Sequence, residues 1–228
     1  MSEVKRMYKF ALFDLDGTLT DSREGICKSV QNAFVKLGRP APSLKELECF
    51  IGPPLKTSFR EFYGIVGEEA DRAVAFYRER YSVVGKYENM PYEGIADLLK
   101  TLRNAGYILS VASSKPEVYV EDILKHFGLY DYFHYVVGSD MEGKRGEKED
   151  VMEEAFRRMG LDEKSRKEQA IMIGDRHFDI NGAKHFGIDS LGVTYGFAKE
   201  NELTEAGATY VVDTVAELQE LLLNKLDV

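Results

Sequence analysis

The chain has 228 residues, 44% of them hydrophobic, enough to bury a sizeable core as one large domain or two small ones. Its 39 acidic against 30 basic residues give a net charge of -9, which opposes loose association with nucleic-acid polymers or anionic membranes and leaves room only for a small cationic pocket. Two cysteines, Cys27 and Cys49, are too few for a disulfide framework, no segment is apolar enough to span a bilayer, and Asp14 and Asp16 cut the early apolar run short of signal-peptide length, so a cytoplasmic protein with reduced thiols is expected.

The first apolar run, Tyr8 to Phe13, reads as a strand. Residues 22–90 behind it are too many for one crossover and carry helical periodicity of their own. Ile26, Val30, Ala33, Phe34 and Leu37 share one face, and Ala70, Ala73, Val74, Tyr77 and Tyr81 another. An inserted all-helical subdomain is the simplest account, with boundaries at 21–90 and a core formed by 1–20 and 91–228. Beyond it, Ile95, Leu98, Leu99 and Leu102 mark a helix closed by Gly106, and Tyr107 to Ala112 the next strand. His134 to Val137 is a third strand, followed by a helix carrying Val151, Met152, Ala155, Phe156 and Met159 and closed by Gly160. Strands at Ala170 to Ile173, Asp189 to Val193 and Tyr210 to Val212 follow, with Leu218, Leu221 and Leu222 on a final helix. Continuous apolar strands alternating with helices imply an α/β fold, a doubly wound parallel sheet covered on both faces.

In such sheets ligands gather beyond the carboxyl ends of the strands, near the point where strand order reverses. The polar residues at these ends share a theme. The first strand runs into Asp14 and Asp16, the second into Ser113 and Ser114, and the fourth into Gly174 and Asp175, with Asp179 four residues later. Two residues apart on an extended chain, Asp14 and Asp16 are expected to project into the same space. Like charges that close require a cation or a shared proton. Magnesium, a hard ion that takes carboxylates, water and a phosphate oxygen, fits this need. A carboxylate can then attack phosphorus while its neighbour shuttles a proton. Gly17 lets the chain turn and bring N–H groups toward a phosphate. A lone Asp at a strand end is ordinarily a turn former, but four acids and a hydroxyl pair on three strand ends are not explained by turn chemistry.

These segments resemble the haloacid dehalogenase superfamily of phosphohydrolases, over nearly the whole chain and in its phosphoglycolate phosphatase-like and 5'-nucleotidase-like branch. FDLDGTLTDS is similar to the first motif, which implies that Asp14 is the nucleophile and Asp16 the general acid and base, with Gly17 and Thr18 close to the phosphate. VASSK is similar to the second, implying that Ser113 binds phosphoryl oxygens with help from Ser114 and Lys115. GDRHFD is similar to the fourth, which assigns Asp175 and Asp179 to the metal site together with Asp14 and Asp16. The third motif is one lysine ahead of a helix. Lys144, Arg145 and Lys148 compete for it, and Lys148 is favoured because Glu149 and Asp150 directly follow, as at a helix start. The inserted segment sits where the family's helical cap sits, and IGPPLKTSF is similar to the loop by which such caps approach substrate. This implies contacts from Pro54 and Lys56, with Arg60 a weaker candidate and ordinary exposure the competing reading. His177 is expected to be exposed without a role, and Tyr63, Tyr77, Tyr81 and Tyr87 to be cap core rather than a base-stacking surface.

The resemblance implies a magnesium-dependent phosphatase acting on a small phosphorylated metabolite, phosphoglycolate-like or a nucleoside monophosphate, as a monomer or homodimer. A dehalogenase does not need Asp16, and a phosphonatase replaces it and adds a Schiff-base lysine. A sugar-phosphate phosphomutase, which shares every core motif, is the alternative. A non-catalytic phosphate- or metal-binding regulatory protein is the reading from another class, weakened because no group needed for turnover is missing.

Overall fold

The computed structural model describes residues 8–142 and 145–224. Up to Leu19 and again from Pro91 onward the chain forms one compact unit, and Thr20–Met90 forms a second. In chain order the elements are β1 (Phe10–Phe13), β2 (Thr20–Asp21), α1 (Arg23–Lys36), α2 (Leu55–Tyr63), α3 (Gly67–Tyr81) and β3 (Met90–Pro91). There follow α4 (Ile95–Asn104), β4 (Ile108–Pro116), α5 (Glu117–His126), β5 (Tyr135–Ser139), α6 (Lys148–Met159) and α7 (Glu163–Gln169). The last are β6 (Ala170–Gly174), α8 (His177–Phe186), β7 (Asp189–Val193), α9 (Glu202–Ala206), β8 (Tyr210–Val212) and α10 (Val215–Asn224). Among the described residues no helix is long and apolar enough to cross a membrane.

The larger unit is the doubly wound sheet its sequence pattern implies. Six strands lie in the order β5-β4-β1-β6-β7-β8, and every recorded pairing is parallel. The chain steps from β1 outward to β4 and β5, then returns to β6 on the other side of β1, so the reversal of strand order falls at β1 itself. This is where such sheets hold their ligands.

The alternation along β1 shows why the strand is apolar throughout. Ala11 and Phe13 pack on one face with Leu109, Val111, Ile171 and Ile173, beneath leucines of α4 and α10 and Val120, Ile123 and Leu124 of α5. Phe10 and Leu12 pack on the other with Ala112 and Met172, beneath Val151, Met152 and Phe156 of α6 and Phe186 of α8. Each of the larger of these side chains contributes about 1.5–3 kcal/mol of burial. A strand covered on both faces is a stiff mount for whatever follows it. Gly106 and Gly160 take positive φ, 88° and 69°, as expected of glycines that stop helices.

The second unit is helical apart from its short strands. α1 packs along α3 with Ile26, Val30, Ala33 and Phe34 buried on one helix and Ala70, Ala73, Val74, Tyr77 and Tyr81 on the other. Tyr77 and Tyr81 stack with ring centroids 5.0 Å apart, and Tyr63 meets Phe34 edge-on at 4.7 Å. These tyrosines are packing residues, whereas Tyr87 is exposed.

Candidate active site

The site is built on three adjacent strand ends of the larger unit. Phe13 stands opposite Val111 of β4 on one side and Ile173 of β6 on the other, so the residues just beyond emerge side by side. Asp14 keeps that register past the end of β1, donating its N–H to Ile173 O at 2.9 Å. Asp175 follows β6 directly, and Asp179 lies in the first turn of α8, where a carboxylate is favoured by the helix dipole. Oxygens of Asp14, Asp175 and Asp179 all lie within 4.8 Å of one another, and all three residues are buried.

Lys148 is the cation of this cluster. Its ammonium, on a residue only 4% exposed, donates to Ala112 O at 2.9 Å and reaches Asp179 Oδ1 at 2.7 Å and Asp14 Oδ2 at 3.1 Å. Burial opposes its charge, but Asp14 and Asp179 outweigh burial and hold it protonated, well above the ordinary lysine range. The helix start expected at this lysine is present, with Glu147 and Asp150 forming a capping box around it. Arg145 is engaged elsewhere: its Nε donates to Gly138 O at 2.8 Å and its Nη2 to Glu117 at 3.2 Å. Lys144 lies outside the described residues.

One ammonium does not balance three carboxylates. Asp175 is pushed well above the ordinary carboxylate range by burial, then by the charges of Asp179 and Asp14. Asp179 is pushed up to about 6 by burial, with Lys148 opposing and Asp14 reinforcing the shift. A buried, all-oxygen cluster with surplus negative charge fits a hard divalent cation and disfavours a soft one. Glycines keep its surroundings clear. A Cβ on Gly17 would stand 2.0 Å from Asp175 Oδ2, and one on Gly174 2.1 Å from Asp179 Cγ. Gly17 also has φ 80°, which a side chain resists. Gly17→Ala is therefore expected to cost about 2 kcal/mol or more and to displace Asp175. Urea unfolding beside a magnesium titration checks this, and wild-type values in both would refute it.

Asp16 stands apart from the three. Its Oδ1 lies 2.7 Å from Lys115 Nζ, and both side chains are largely buried. The strand has ended at Phe13, so the alternation that would place residues 14 and 16 on one face no longer applies. This arrangement gives the Asp16 side chain a lysine partner, not a place among the clustered carboxylates. Lys115 reaches it from an irregularity in β4. Ala112 pairs with Val137 but Pro116 with Ser139, so four steps on β4 match two on β5 and the chain bulges at Ser113, Ser114 and Lys115. Ser113 is buried there, with its Oγ accepting from Lys115 N at 3.4 Å. Thr18 is buried too, its Oγ1 3.4 Å from Asp175 Oδ1.

Within the helical unit, Pro54 precedes α2 and Lys56 lies in its first turn, paired with Asp71 of α3. Arg60 pairs with Glu61 at 3.2 Å. All four of these charged side chains are more than half exposed.

The segment after β7 was not legible as part of the site. Phe197 N donates to Asp175 Oδ2 at 2.7 Å, and Glu202 gathers several donors. Its Oε1 accepts from Arg176 Nε at 2.8 Å, His177 N at 3.0 Å and His177 Nδ1 at 2.6 Å, and its Oε2 from Lys199 N at 2.9 Å. His177 is thus pinned by a carboxylate, where exposure without a role was expected. Burial opposes the Glu202 charge, but the donors prevail and hold its carboxyl at about 2. A depressed carboxyl contributes stability above its unfolded pKa and loses it as pH falls through the folded one. Glu202→Gln should therefore cost about 2 kcal/mol at pH 7, a deficit that narrows as pH falls from about 4.5 toward 2. Urea unfolding of both proteins at pH 7 and pH 3 measures it, and an equal deficit at both would contradict the assignment.

The sheet, the convergence of Asp14, Asp175 and Asp179, and the buried lysine among them define a phosphohydrolase-type α/β core. The chain belongs to the haloacid dehalogenase-like hydrolase family, which it matches over residues 11–193, and it is an enzyme of the phosphatase kind. It is 42% identical over 222 residues to a 5'-nucleotidase of Pseudomonas aeruginosa, covering 97% of this chain and 99% of that protein. It is 37% identical over 216 residues to the tyrosine-protein kinase PtkA of Mycobacterium tuberculosis, covering 94% of this chain and 72% of that one. The crystal structure of a predicted phosphatase from Clostridium acetobutylicum is similar with a TM-score of 0.91 at 45% identity, covering 96% of this chain and 99% of that one.

Proposed function

We propose that the protein hydrolyses a small phosphate monoester, a nucleoside monophosphate or a phosphoglycolate-like acid, through a phosphoaspartate on Asp14 and with magnesium as cofactor. The observation that carries this reading is the buried group of Asp14, Asp175, Asp179 and Lys148. The likeness to a 5'-nucleotidase favours the nucleotide.

Asp14, Asp175 and Asp179 would hold the magnesium ion, which when bound neutralises the carboxylates and the substrate phosphate so that like charges can meet. Asp14 presents its carboxylate for attack on phosphorus, with Oδ1 fixed by Leu15 N–H at 2.7 Å and Oδ2 beside Lys148. Lys148 keeps its proton and screens charge between nucleophile and phosphate. Ser113 and the Ser114 N–H, at the bulge in β4, bind the phosphoryl oxygens. Asp16 gives a proton to the leaving oxygen, then takes one from the water that attacks the phosphoaspartate. To carry that proton Asp16 must be released by Lys115, and the arriving phosphate offers Lys115 another anion. Lys115 therefore couples substrate arrival to the readiness of the acid.

A panel of nucleoside monophosphates, phosphoglycolate and sugar phosphates, assayed for free phosphate with magnesium and again with excess chelator, tests the reading. Hydrolysis of a nucleotide or phosphoglycolate that vanishes with chelator is expected, without any sugar bisphosphate activator. Turnover undiminished by the chelator, or release of phosphate only when the activator is present, would overturn it.

A further inference from the structure

The cluster of carboxylates requires something to fix Asp175 from the side away from β1. A segment after β7 does so at close quarters. Besides the Phe197 N–H on Asp175 Oδ2, Gly196 lies so near that a Cβ there would stand 2.3 Å from Gly17 O and 2.5 Å from Asp175 Oδ2. Tyr195 OH donates to Thr18 O at 3.0 Å, which ties the same segment to the turn after Asp16. The segment thus closes over Asp175, and its position decides where that carboxylate points.

We infer that Glu202 is a positioning residue for the metal-ligand turn, clipping the 195–199 segment to the Asp175–Asp179 turn through a single carboxylate. One oxygen holds Lys199 N, on the segment, at 2.9 Å. The other holds Arg176 and His177, which lie between Asp175 and Asp179, at 2.6–3.0 Å. Glu202 stands at the start of α9, 27 residues along the chain from Asp175. The clip is rigid because the side chain is only 10% exposed and bears charge-assisted bonds on both oxygens. Groups that orient metal ligands from behind typically set metal affinity by 10–100-fold. Removing the Glu202 charge leaves every proposed ligand in place but frees Phe197 N–H and Asp175 to drift apart.

The inference rests on the reading that Asp14, Asp175 and Asp179 bind magnesium, and calorimetric titration of magnesium into the substrate-free protein separates the two. Wild type, Asp175→Asn, Glu202→Gln and Arg176→Met are compared, each shown by circular dichroism to be folded. Saturable binding in wild type that Asp175→Asn abolishes supports the site reading. Glu202→Gln is then expected to raise the magnesium Kd about tenfold or more, and Arg176→Met, which removes one donor and keeps the apolar stem, to raise it by a smaller factor. At saturating magnesium kcat should return to within about threefold of wild type, since no reacting group is lost. Wild-type magnesium affinity in Glu202→Gln would overturn the clip while leaving the site intact. Should that variant fail to fold, wild-type affinity in Arg176→Met would do the same. Absence of saturable binding in wild type would overturn both the site reading and the clip.

Discussion

Asp14→Asn should reduce magnesium-supported hydrolysis of a generic aryl phosphate by at least about 10⁴-fold, because on the proposed mechanism the variant loses the carboxylate that forms the phosphoenzyme. The fold should persist. An amide of the same size still accepts from Leu15 N–H, and although Lys148 loses one anion it keeps Asp179 at 2.7 Å and Ala112 O at 2.9 Å. Neutralising Asp14 also removes one of the charges that push Asp175 and Asp179 upward. Circular dichroism and kcat on the same sample test the pair of statements. Retained turnover in a folded variant would remove Asp14 from the chemistry.

Lys148→Met is expected to act on stability as strongly as on rate. It strips the cation from between two buried carboxylates and leaves Ala112 O without its side-chain donor. Breaking a buried pair from one side costs about 3–5 kcal/mol, and turnover should fall at least about 10²-fold with the charge screen gone. Magnesium should recover part of the lost stability, because a ligand that binds only the folded state favours it. Urea unfolding with and without magnesium measures both effects. A change under about 1 kcal/mol without magnesium would mean that the ion pairs described here do not matter.

Much of this arrangement was legible in the sequence, for reasons that differ from residue to residue. β1 and β6 read clearly because strands covered on both faces must be apolar throughout, and their ends placed Asp14 and Asp175. Lys148 could be told from Arg145 because acidic residues immediately after it signal a helix start, and Arg145 indeed turns to Gly138 O and Glu117. α8 left no such trace, since Asn181 and Gly182 weaken its propensity and its buried face includes Asp179. α7 has no buried residue at all and is capped at its start by Asp162, which accepts from Ser165 N at 2.7 Å. The pairing of Asp16 with Lys115 depends on where β1 ends and β4 bulges, which apolar periodicity does not report. Glu202 was invisible for a simpler reason. TYGFAKENE carries turn chemistry without periodicity, and the partners of Glu202 in the Asp175–Asp179 turn are about 25 residues away in sequence.

The central claim is that the sheet aims Asp14 at phosphorus. It is tested most directly by quenching the enzyme during turnover, reducing any acyl phosphate with borohydride and locating the product by peptide mass spectrometry. Conversion of residue 14 to homoserine, dependent on substrate and on magnesium, is the predicted result. Turnover with no reduced residue at position 14, and the phosphoryl group found instead on Ser113 or on no residue, would contradict it.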